Sequence, residues 1–372
     1  MQAGVSKRKQ KPSSSELSKR LTELKKTEEK EWLTEVSSVP LQQSLRDLEQ
    51  AYSNFFKSCK GQRKGKKFKP PRFKKRKSKQ SARFTDNSFK LYPNSNYICL
   101  AKIGDIKVIW SRELPAIPSS VTLIKDSADR YFVSFVVEFS PKQLPQNGQS
   151  VGIDLGITDF ATLSNGEKIK SPKPLKKQLK RLRKLQRHLS RKQKGSKRRE
   201  VARKKLAKLH AKISDTRNDF LHKLSTKVIS ENQTIVLEDL HVSGMMKNRK
   251  LSRAISDLGW QYFRTMLEAK SVMYGRDFQV IDRWIPTSQI CSCCGFHSGK
   301  KELNIREWIC LNCGNSHDRD INAAVNILVA GGHSETLNGR GGRRKTTAKI
   351  AVAIEASTHP ALEQLSIFDL LK

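Results

Sequence analysis

Apolar residues recur at helical intervals near the start of the chain, between residues 14 and 59. Residues three, four or seven positions apart lie on one face of an α-helix. Such a face is formed by the following side chains: Leu41, Leu45, Leu48, Tyr52 and Phe55. The pattern predicts a helical segment in a first domain over residues 1–60, with an ordinary core-facing stripe.

Residues 81–139 follow a different pattern, in which short runs of β-branched and aromatic residues alternate with Pro, Asn, Gly and Asp. Runs such as YICLAK, IKVIW and YFVSFVVEF are typical of short strands bounded by turns. We therefore predict a small antiparallel sheet or β-barrel within a domain over residues 61–148. The sequence SPKQLPQNGQS at 140–150 is interpreted as a linker.

A new unit begins at residues 151–164, VGIDLGITDFATLS, which predict two strands joined at a tight turn by Gly156. A long basic region over 168–230 follows, with apolar residues at heptad-like spacing on both sides of Gly195. These positions are Leu175, Leu179, Leu182, Leu185 and Leu189, then Leu206, Leu209, Ile213, Phe220 and Leu224. Two antiparallel helices packed along that seam are the simplest solution.

Three further elements complete the core. QTIVLEDL at 233–240 predicts a buried strand, Ala254–Arg276 a helix, and FQVIDRWI at 278–285 another strand. The resulting order β-β-α-β-α-β is typical of an α/β fold, which we place over residues 149–290 with a last segment at 316–335. The Gly-, Arg- and Thr-rich stretch at 336–372 predicts a flexible tail.

Charge narrows the choice of partner. The formal net charge is +38, from 73 Lys and Arg against 35 Asp and Glu. Such a chain repels itself unless a polyanion neutralises it, and phosphates are the usual polyanion. No run approaches the ~18 consecutive apolar residues of a membrane span, and the N-terminus has no apolar signal region. The expected partner is nucleic acid rather than a membrane, and the expected location is the cytoplasm.

Two basic stretches stand out. Residues 60–79 contain no acid, and two phenylalanines, Phe68 and Phe73, are interleaved with the charges, as in a phosphate-gripping loop with stacking partners. A disordered basic linker is the alternative. From Lys168 to Lys212 the only acid is Glu200, whereas a solvated helical face mixes both signs. We predict nucleic-acid contacts at Lys66, Lys67, Lys69, Arg72, Lys74, Lys75, Arg76, Lys180, Arg181, Arg183, Lys184, Arg187, Arg198 and Arg199.

Five of the seven cysteines are crowded between residues 291 and 313. Cys291 and Cys294 form one C-x-x-C pair, and Cys310 and Cys313 form another after fifteen intervening residues. Two such pairs supply four thiolates for a tetrahedral structural Zn²⁺ site. Iron in a similar site is the alternative. We predict a zinc ribbon over residues 291–315, in which the role of Cys293 is open.

Three separated acids form the second constellation. Asp154 and Glu238 each lie in an otherwise apolar strand, where a buried carboxylate is costly unless it is paired or binds a metal. Asp320 lies at the predicted start of a helix that carries Asn322 and Asn326, so an N-cap is its alternative role. Asp239, on the opposite strand face, and Asp318 are nearby acids outside this set. The three acids predict a catalytic Mg²⁺ cluster for phosphodiester hydrolysis.

These motifs resemble the TnpB family of transposon-encoded, OrfB-type proteins. The resemblance rests on GIDLGITDFATLSNG, IVLEDL, TSQICSCCG and WICLNCGNSHDRDINAAVNIL, in that order. It implies a RuvC-like, RNase H-like nuclease core with an inserted helical hairpin and zinc ribbon, preceded by a helical recognition-lobe segment and a wedge domain. It also implies that Asp154, Glu238 and Asp320 are the catalytic carboxylates and that the four paired cysteines bind zinc.

The resemblance further implies an RNA-guided DNA endonuclease that supports transposon maintenance. Its expected partners are a guide RNA from the transposon end and target double-stranded DNA beside a transposon-associated motif, in a monomeric, nucleoid-associated ribonucleoprotein. Base pairing would read the target while the protein grips the heteroduplex backbone.

The start of the chain departs from the family pattern. Nothing in MQAGVSKRKQKPSSSELSKRL resembles the expected first strand of the wedge domain, so we expect the recognition segment to be incomplete. An inactive or truncated RNA- and DNA-binding protein is therefore the alternative function. A strand-joining transposase also needs three acids, but the zinc ribbon between the second and third acids argues against it.

Overall fold

A computed structural model of the protein describes residues 13–332 except Lys64, Lys66, Arg76, Asp86, Pro93 and Leu303. The predictions for Lys66, Arg76 and the tail at 336–372 fall outside the described residues. No helix in the described part of the chain is long and apolar enough to cross a membrane.

The N-terminal segment is helical, as the apolar spacing predicts. It consists of α1 (Ser14–Leu24), a 3₁₀ helix (Glu28–Thr34) and α2 (Ser38–Cys59). A capping box begins α1, because the Ser13 hydroxyl accepts the Glu16 amide and the Glu16 carboxylate accepts the Ser13 amide. None of the five side chains of the predicted stripe is fully buried on α2, because Leu48 is exposed and the other four are partly buried: Leu41, Leu45, Tyr52 and Phe55.

The β-rich segment forms two three-stranded antiparallel sheets rather than one closed barrel. Its strands are β1 (Gln80–Thr85), β2 (Phe89–Leu91), β3 (Tyr97–Leu100), β4 (Gly104–Lys107), β5 (Ser120–Lys125) and β6 (Tyr131–Val136). The sheet orders are β1-β5-β6 and β2-β3-β4. Both sheets contribute to one core around Phe84, Ile98, Leu100 and Val121. The predicted closed barrel is wrong, because β2, β3 and β4 form one sheet and β1, β5 and β6 form another.

A five-stranded mixed sheet forms the centre of the α/β core. It contains β7 (Ser150–Asp154), β8 (Ala161–Leu163), β9 (Lys168–Ile169), β10 (Thr234–Glu238) and β11 (Asp277–Ile281), in the order β11-β10-β7-β8-β9. The strands β7, β8 and β9 are antiparallel neighbours, whereas β10 pairs in parallel with both β7 and β11. Parallel strands need helical crossovers, so this order confirms the predicted α/β layout.

The predicted helical hairpin lies between β9 and β10. It consists of α3 (Pro174–Ser190) and α4 (Lys197–Glu231), and Gly195 adopts a φ of +88° in the turn. The seam buries five apolar side chains of the predicted set: Leu175, Leu182, Leu206, Leu209 and Ile213. At the base of the hairpin, the buried Asp257 carboxylate accepts the amides of Leu175 and Lys176, which caps α3 from another element.

The helical region after β10 is divided more finely than predicted. It contains α5 (Val242–Met245), α6 (Ser252–Leu258) and α7 (Trp260–Tyr274). The predicted single helix over 254–276 is wrong, because Gly259 takes a left-handed φ of +75° and ends α6. The helices α4 and α7 cover one sheet face, and the main core includes Ile153, Phe160, Leu221 and Phe263.

The C-terminal part of the described chain returns to the sheet. It contains β12 (Glu307–Ile309), β13 (Ser316–Asp318) and α8 (Arg319–Ala330). The β12–β13 hairpin continues past the predicted ribbon boundary at residue 315. Helix α8 packs directly on β7 at Gly152, where an added Cβ would lie 2.1 Å from the Ala324 carbonyl oxygen. A side chain at this position would therefore separate α8 from the sheet.

Candidate active site and zinc site

The three predicted carboxylates meet at one edge of the central sheet. Asp154 ends β7 and Glu238 ends β10, and these strands run in parallel with Leu237 opposite Ile153. Their carboxyl ends therefore lie side by side. Asp320 lies in the first turn of α8, which packs against β7. All three line one open cleft of about 650 Å³.

The electrostatics of this cleft show that the acids act on one another. The pKa of Asp154 is raised from 3.8 to about 7, first by burial and then by the charges of Asp320 and Glu238. Arg319 and Arg306 oppose this rise. The pKa of Glu238 is also raised, by burial and by its neighbour Asp239. A divalent cation in the cleft would offset this repulsion and stabilise the ionised carboxylates.

The neighbouring acids have different surroundings. Asp239 accepts an ion-pair bond from Arg264 at 2.5 Å and another from Arg283, and these arginines lower its pKa. Asp318 is the N-cap of α8, where its carboxylate accepts the amides of Asp320 and Ile321, each at 3.0 Å.

Asp318 also pairs with Lys168 at 2.6 Å. Although burial alone would raise the pKa of Asp318, this lysine and the helix amides lower it. The capping role that the sequence allowed for Asp320 therefore belongs to Asp318, and Asp320 faces the cleft.

Arg306 is a cleft residue that the sequence did not indicate. It lies just before β12 in the ribbon, and its guanidinium approaches both carboxylate oxygens of Asp320 at 3.2 and 3.3 Å. It also contacts the Thr158 hydroxyl at 3.4 Å. No local pattern distinguishes this arginine from the many others in the chain, so only the packing of the ribbon against the core reveals it.

The zinc prediction is supported by the four paired cysteines. The sulfurs of Cys291, Cys294, Cys310 and Cys313 all lie within 4.8 Å of one another, and they form the one such group of potential metal ligands among the described residues. Each pair is closed by a matching turn, in which the Gly295 amide donates to the Cys291 carbonyl at 2.9 Å and the Gly314 amide donates to the Cys310 carbonyl at 2.8 Å. Four clustered thiols fit a structural Zn²⁺ ion.

Cys293 stands outside this group. Its exposed sulfur accepts the Asn315 amide at 2.7 Å, while Asn312 donates to Cys294 at 3.5 Å. The Asn312 contact is the main cause that lowers the pKa of Cys294 to about 6, which favours the thiolate that a metal requires. His317 is a second residue that the sequence did not indicate, since its Nε2 lies 3.0 Å from the Cys291 sulfur.

Two asparagines of α8 join the ribbon to the core. Asn322 and Asn326 are both buried, and each donates its side-chain amide to the Ile290 carbonyl, at 2.8 and 2.7 Å. The Asn322 oxygen accepts the Ser292 amide at 2.9 Å. The helix that carries Asp320 is therefore fixed to the first cysteine turn, which couples the cleft to the ribbon.

The residues predicted to contact nucleic acid differ in how exposed their side chains are. Those that are described and exposed are Lys67, Lys69, Arg72, Lys74, Lys75, Lys180, Arg181, Arg183, Lys184, Arg187 and Arg198. Arg199 differs, because its guanidinium donates to the Leu189 and Lys192 carbonyls and braces the hairpin turn. Of the two predicted stacking residues, Phe73 is fully exposed, whereas Phe68 is partly buried beneath Arg63.

Comparison with known proteins places these features in a family. Residues 134–249 match the OrfB_IS605 family model, described as "Probable transposase", and residues 260–327 match the model "Cas12f1-like, TNB domain". A "Putative RNA-guided DNA endonuclease" of Streptomyces pristinaespiralis is 51% identical over 84% of this chain and 76% of its own length. The "Putative RNA-guided DNA endonuclease InsQ" of Escherichia coli (strain K12) is 34% identical over 84% and 79%. A solved Cas12f1-sgRNA-target DNA complex aligns with a TM-score of 0.45 and 14% identity over 77% of this chain and 70% of that chain.

Proposed function

The chain belongs to the TnpB family, and from this premise we propose that it is an RNA-guided, Mg²⁺-dependent DNA endonuclease. It is encoded by an insertion sequence, cuts target DNA beside a transposon-associated motif and supports maintenance of the transposon. The observation that carries the proposal is the meeting of Asp154, Glu238 and Asp320 in one cleft. Their chain positions are far apart, and they meet only because β7, β10 and α8 adjoin.

The donor atoms of the cleft suit Mg²⁺ by their chemistry, and an ion would have to draw the three carboxylates together, since the four cysteines are the one group of ligand atoms already gathered for a metal among the described residues. Carboxylate oxygens are the ligands this ion prefers, and Asp154, Glu238 and Asp320 would hold it. Mg²⁺ supplies an activated water and charge stabilisation for in-line attack on a phosphodiester. Because the pKa of Asp154 is about 7, much of this carboxyl is protonated at neutral pH until a cation displaces the proton.

The arginines beside the acids have a separate task. Arg306 and Arg319 line the same cleft and oppose the rise in the pKa of Asp154. Guanidinium groups also suit phosphate oxygens in geometry and charge. We assign them to orienting the DNA backbone, with Arg306 exchanging its contact with Asp320 for one with the substrate.

The basic surfaces support binding of a guide RNA and target DNA. The exposed side chains of α3 and of the loop at 60–79 carry many positive charges with few counterions. Phosphate contacts of this kind grip a guide–target heteroduplex without reading its sequence. We assign the zinc ribbon a structural role, because its four thiols would supply all the ligands of a tetrahedral Zn²⁺ ion.

Cleavage of plasmid DNA by the protein copurified with its RNA tests the proposal. Wild-type protein should cut a target-bearing plasmid only with Mg²⁺ present, while Asp154→Ala should lose cutting and retain RNA and DNA binding. Cutting by Asp154→Ala would refute the assignment of the site. Sequence-specific DNA binding without cutting by the wild type would instead support the alternative, an inactive RNA- and DNA-binding protein.

A further inference from the structure

An exposed tryptophan stands beside the three carboxylates. Trp284 follows β11 and lines the same cleft as Asp154, Glu238 and Asp320. Its surface is 83% exposed, which makes it the most exposed of the five tryptophans in the chain. Among the described residues, Trp284 and Leu251 are the only large apolar side chains of the cleft that are exposed. A large aromatic surface is therefore open to whatever enters the cleft.

The residues around Trp284 fix its position. The Asp282 carboxylate accepts the Trp284 amide at 3.0 Å, and the Asp282 carbonyl accepts the Ile285 amide at 3.3 Å, which closes a turn. On one side, Arg283 forms an ion pair with Asp239. On the other side, Ile285 packs against the buried cluster that contains Ile281. The backbone is therefore held on both sides of the indole, which projects away from the core.

The chemistry of the cleft indicates which group of a bound ligand would contact the indole. Three carboxylates and their arginine neighbours suit phosphates and metal, whereas Trp284 is the one aromatic side chain among the described residues that line the cleft. An indole face stacks on any base, independently of sequence. A paired base in a duplex already has both faces covered by its neighbours, whereas an unpaired strand has faces to offer. An exposed indole on a fixed backbone next to the acids therefore suits single-stranded DNA.

We propose that Trp284 stacks on a base of single-stranded target DNA beside the scissile phosphate and positions that strand over the carboxylates. The proposal rests on the proposed nuclease function of the cleft. In this role Trp284 acts on docking of the unpaired strand, after target recognition has taken place elsewhere. Its loss should slow cutting without weakening capture of the target.

Single-turnover cleavage by RNA-loaded protein gives the first test. Trp284→Ala should slow cleavage of bound target by about 5- to 150-fold, the range for loss of one base–aromatic stack. Occupancy of target DNA in a gel-shift assay should stay unchanged, and Trp284→Phe should recover most of the rate. Trp32→Ala is the matched control, since Trp32 is 56% exposed and lies in the N-terminal 3₁₀ helix, away from the cleft.

Abasic substitution separates stacking from a structural effect. Each nucleotide that flanks the cleaved bond is replaced in turn by an abasic residue. At one position the wild type should slow to the rate of Trp284→Ala, and the variant should show no further loss there. Equal slowing of both proteins at every position would overturn the proposal, as would an unchanged rate for Trp284→Ala or a loss of RNA binding.

A binding measurement keeps the inference separate from the nuclease assignment. A 2-aminopurine base at the sensitive position, in a complex of the non-cutting Asp154→Ala variant, should lose fluorescence as it stacks. The double variant with Trp284→Ala should not show this quenching. Quenching by both proteins would exclude Trp284 as the stacking partner, whatever the result of the cleavage assay. Persistent cutting by Asp154→Ala would instead count against the function of the cleft.

Discussion

The zinc site and the acid cleft are built in opposite ways. The four cysteines come from one stretch of chain, residues 291–313, and two local turns bring their sulfurs together. The three acids come from the ends of two strands and the start of a helix, separated by a long hairpin and the ribbon itself. The thiol site depends mainly on local backbone geometry, whereas the acid site depends on the assembly of the whole α/β core.

The two sites are nevertheless connected. The ribbon supplies Arg306 to Asp320, and α8 holds the first cysteine turn through Asn322. Disruption of the four-cysteine site should therefore also alter the acid cleft. A disturbance in the carboxylates should leave the cysteines in place, because nothing in the two cysteine turns depends on a charge in the cleft.

The largest effect should come from the contrast between two neighbouring acids. Asp320→Asn removes a predicted metal ligand, so cleavage should fall by at least about 10³-fold. Asp318→Asn keeps a side-chain oxygen for the helix cap. Its cleavage rate should therefore fall by less than about tenfold. Single-turnover plasmid cleavage with matched Mg²⁺ checks the pair. Equal losses in the two variants would contradict the division of roles between them.

Breaking the ribbon tests its coupling to the cleft. Cys294→Ser should lose zinc and disorder the ribbon. Cleavage should then fall by about 10²-fold, since misplacement of groups by an ångström can have that effect. Cys293→Ser is the matched control and should retain both zinc and activity, because Cys293 lies outside the four-sulfur group. Zinc content by mass spectrometry and cleavage rate are measured on the same samples. Full activity in a zinc-free variant would show that the sites are independent.

A third prediction concerns the contact that joins α8 to the sheet. Gly152→Ala would place a Cβ 2.1 Å from the Ala324 carbonyl oxygen and 2.7 Å from the Leu328 nitrogen. We expect a loss of about 1–3 kcal/mol in the free energy of unfolding, together with slower cleavage as Asp320 moves. Denaturant unfolding checks this. Ser150→Ala, on the same strand, is the control and should change the free energy of unfolding by less than about 0.5 kcal/mol. A similar loss in both variants would show that any substitution in β7 destabilises the protein, and not the contact with α8 in particular.

The fourth effect, similar in size to the third, is a dependence of the free energy of unfolding on pH that arises from Asp154 in the acid cleft. The folded pKa of Asp154 lies above its unfolded value of 3.8, at about 7, so the folded protein holds the proton more tightly. Without Mg²⁺, stability should therefore fall as the pH rises from about 4 to about 7. Asp154→Asn should remove the part of this fall that Asp154 causes and be more stable by about 1–3 kcal/mol above pH 7, with no difference near pH 4, while the raised pKa of Glu238 leaves a smaller fall in the variant.

Denaturant unfolding in Mg²⁺-free buffer, with zinc retained, checks this dependence. Addition of Mg²⁺ should stabilise the wild type more than Asp154→Asn, because only the wild type offers the full ligand set. An unchanged pH profile in the variant would show that another group is responsible.

The sequence indicated several elements because their signals are local. The apolar seam of α3 and α4 and the turn at Gly195 follow from residues within the hairpin itself. The division of α6 from α7 was missed, because a glycine inside a helical pattern is tolerated in many helices and breaks this one only through its left-handed φ. The sequence predicted a sheet or barrel but not the division of its strands into two sheets, because the residues of a strand do not by themselves show which other strand it pairs with.

In the acid set, the sequence separated Glu238 from Asp239 by the alternation of strand faces, but it did not separate Asp320 from Asp318 by physical reasoning. It allowed Asp320 to be a helix cap, and the structure assigns that cap to Asp318. The reason is geometric, because the position of the cap depends on the residue at which α8 begins after β13. Arg199 likewise belonged to a basic pattern, and only the turn that it braces gives it a distinct role.

By itself, then, the sequence determined the charge, the cysteine spacing, the helical and strand periodicities and the candidate acids, all of which are properties of neighbouring residues. The tertiary structure decided which acids share a cleft, which arginine faces Asp320, and how Trp284 comes to stand beside them. These depend on contacts between distant segments, and such contacts arise from packing the hairpin, the sheet and the ribbon together. No single segment carries that information, because each side chain acquires its partners only when the core has closed.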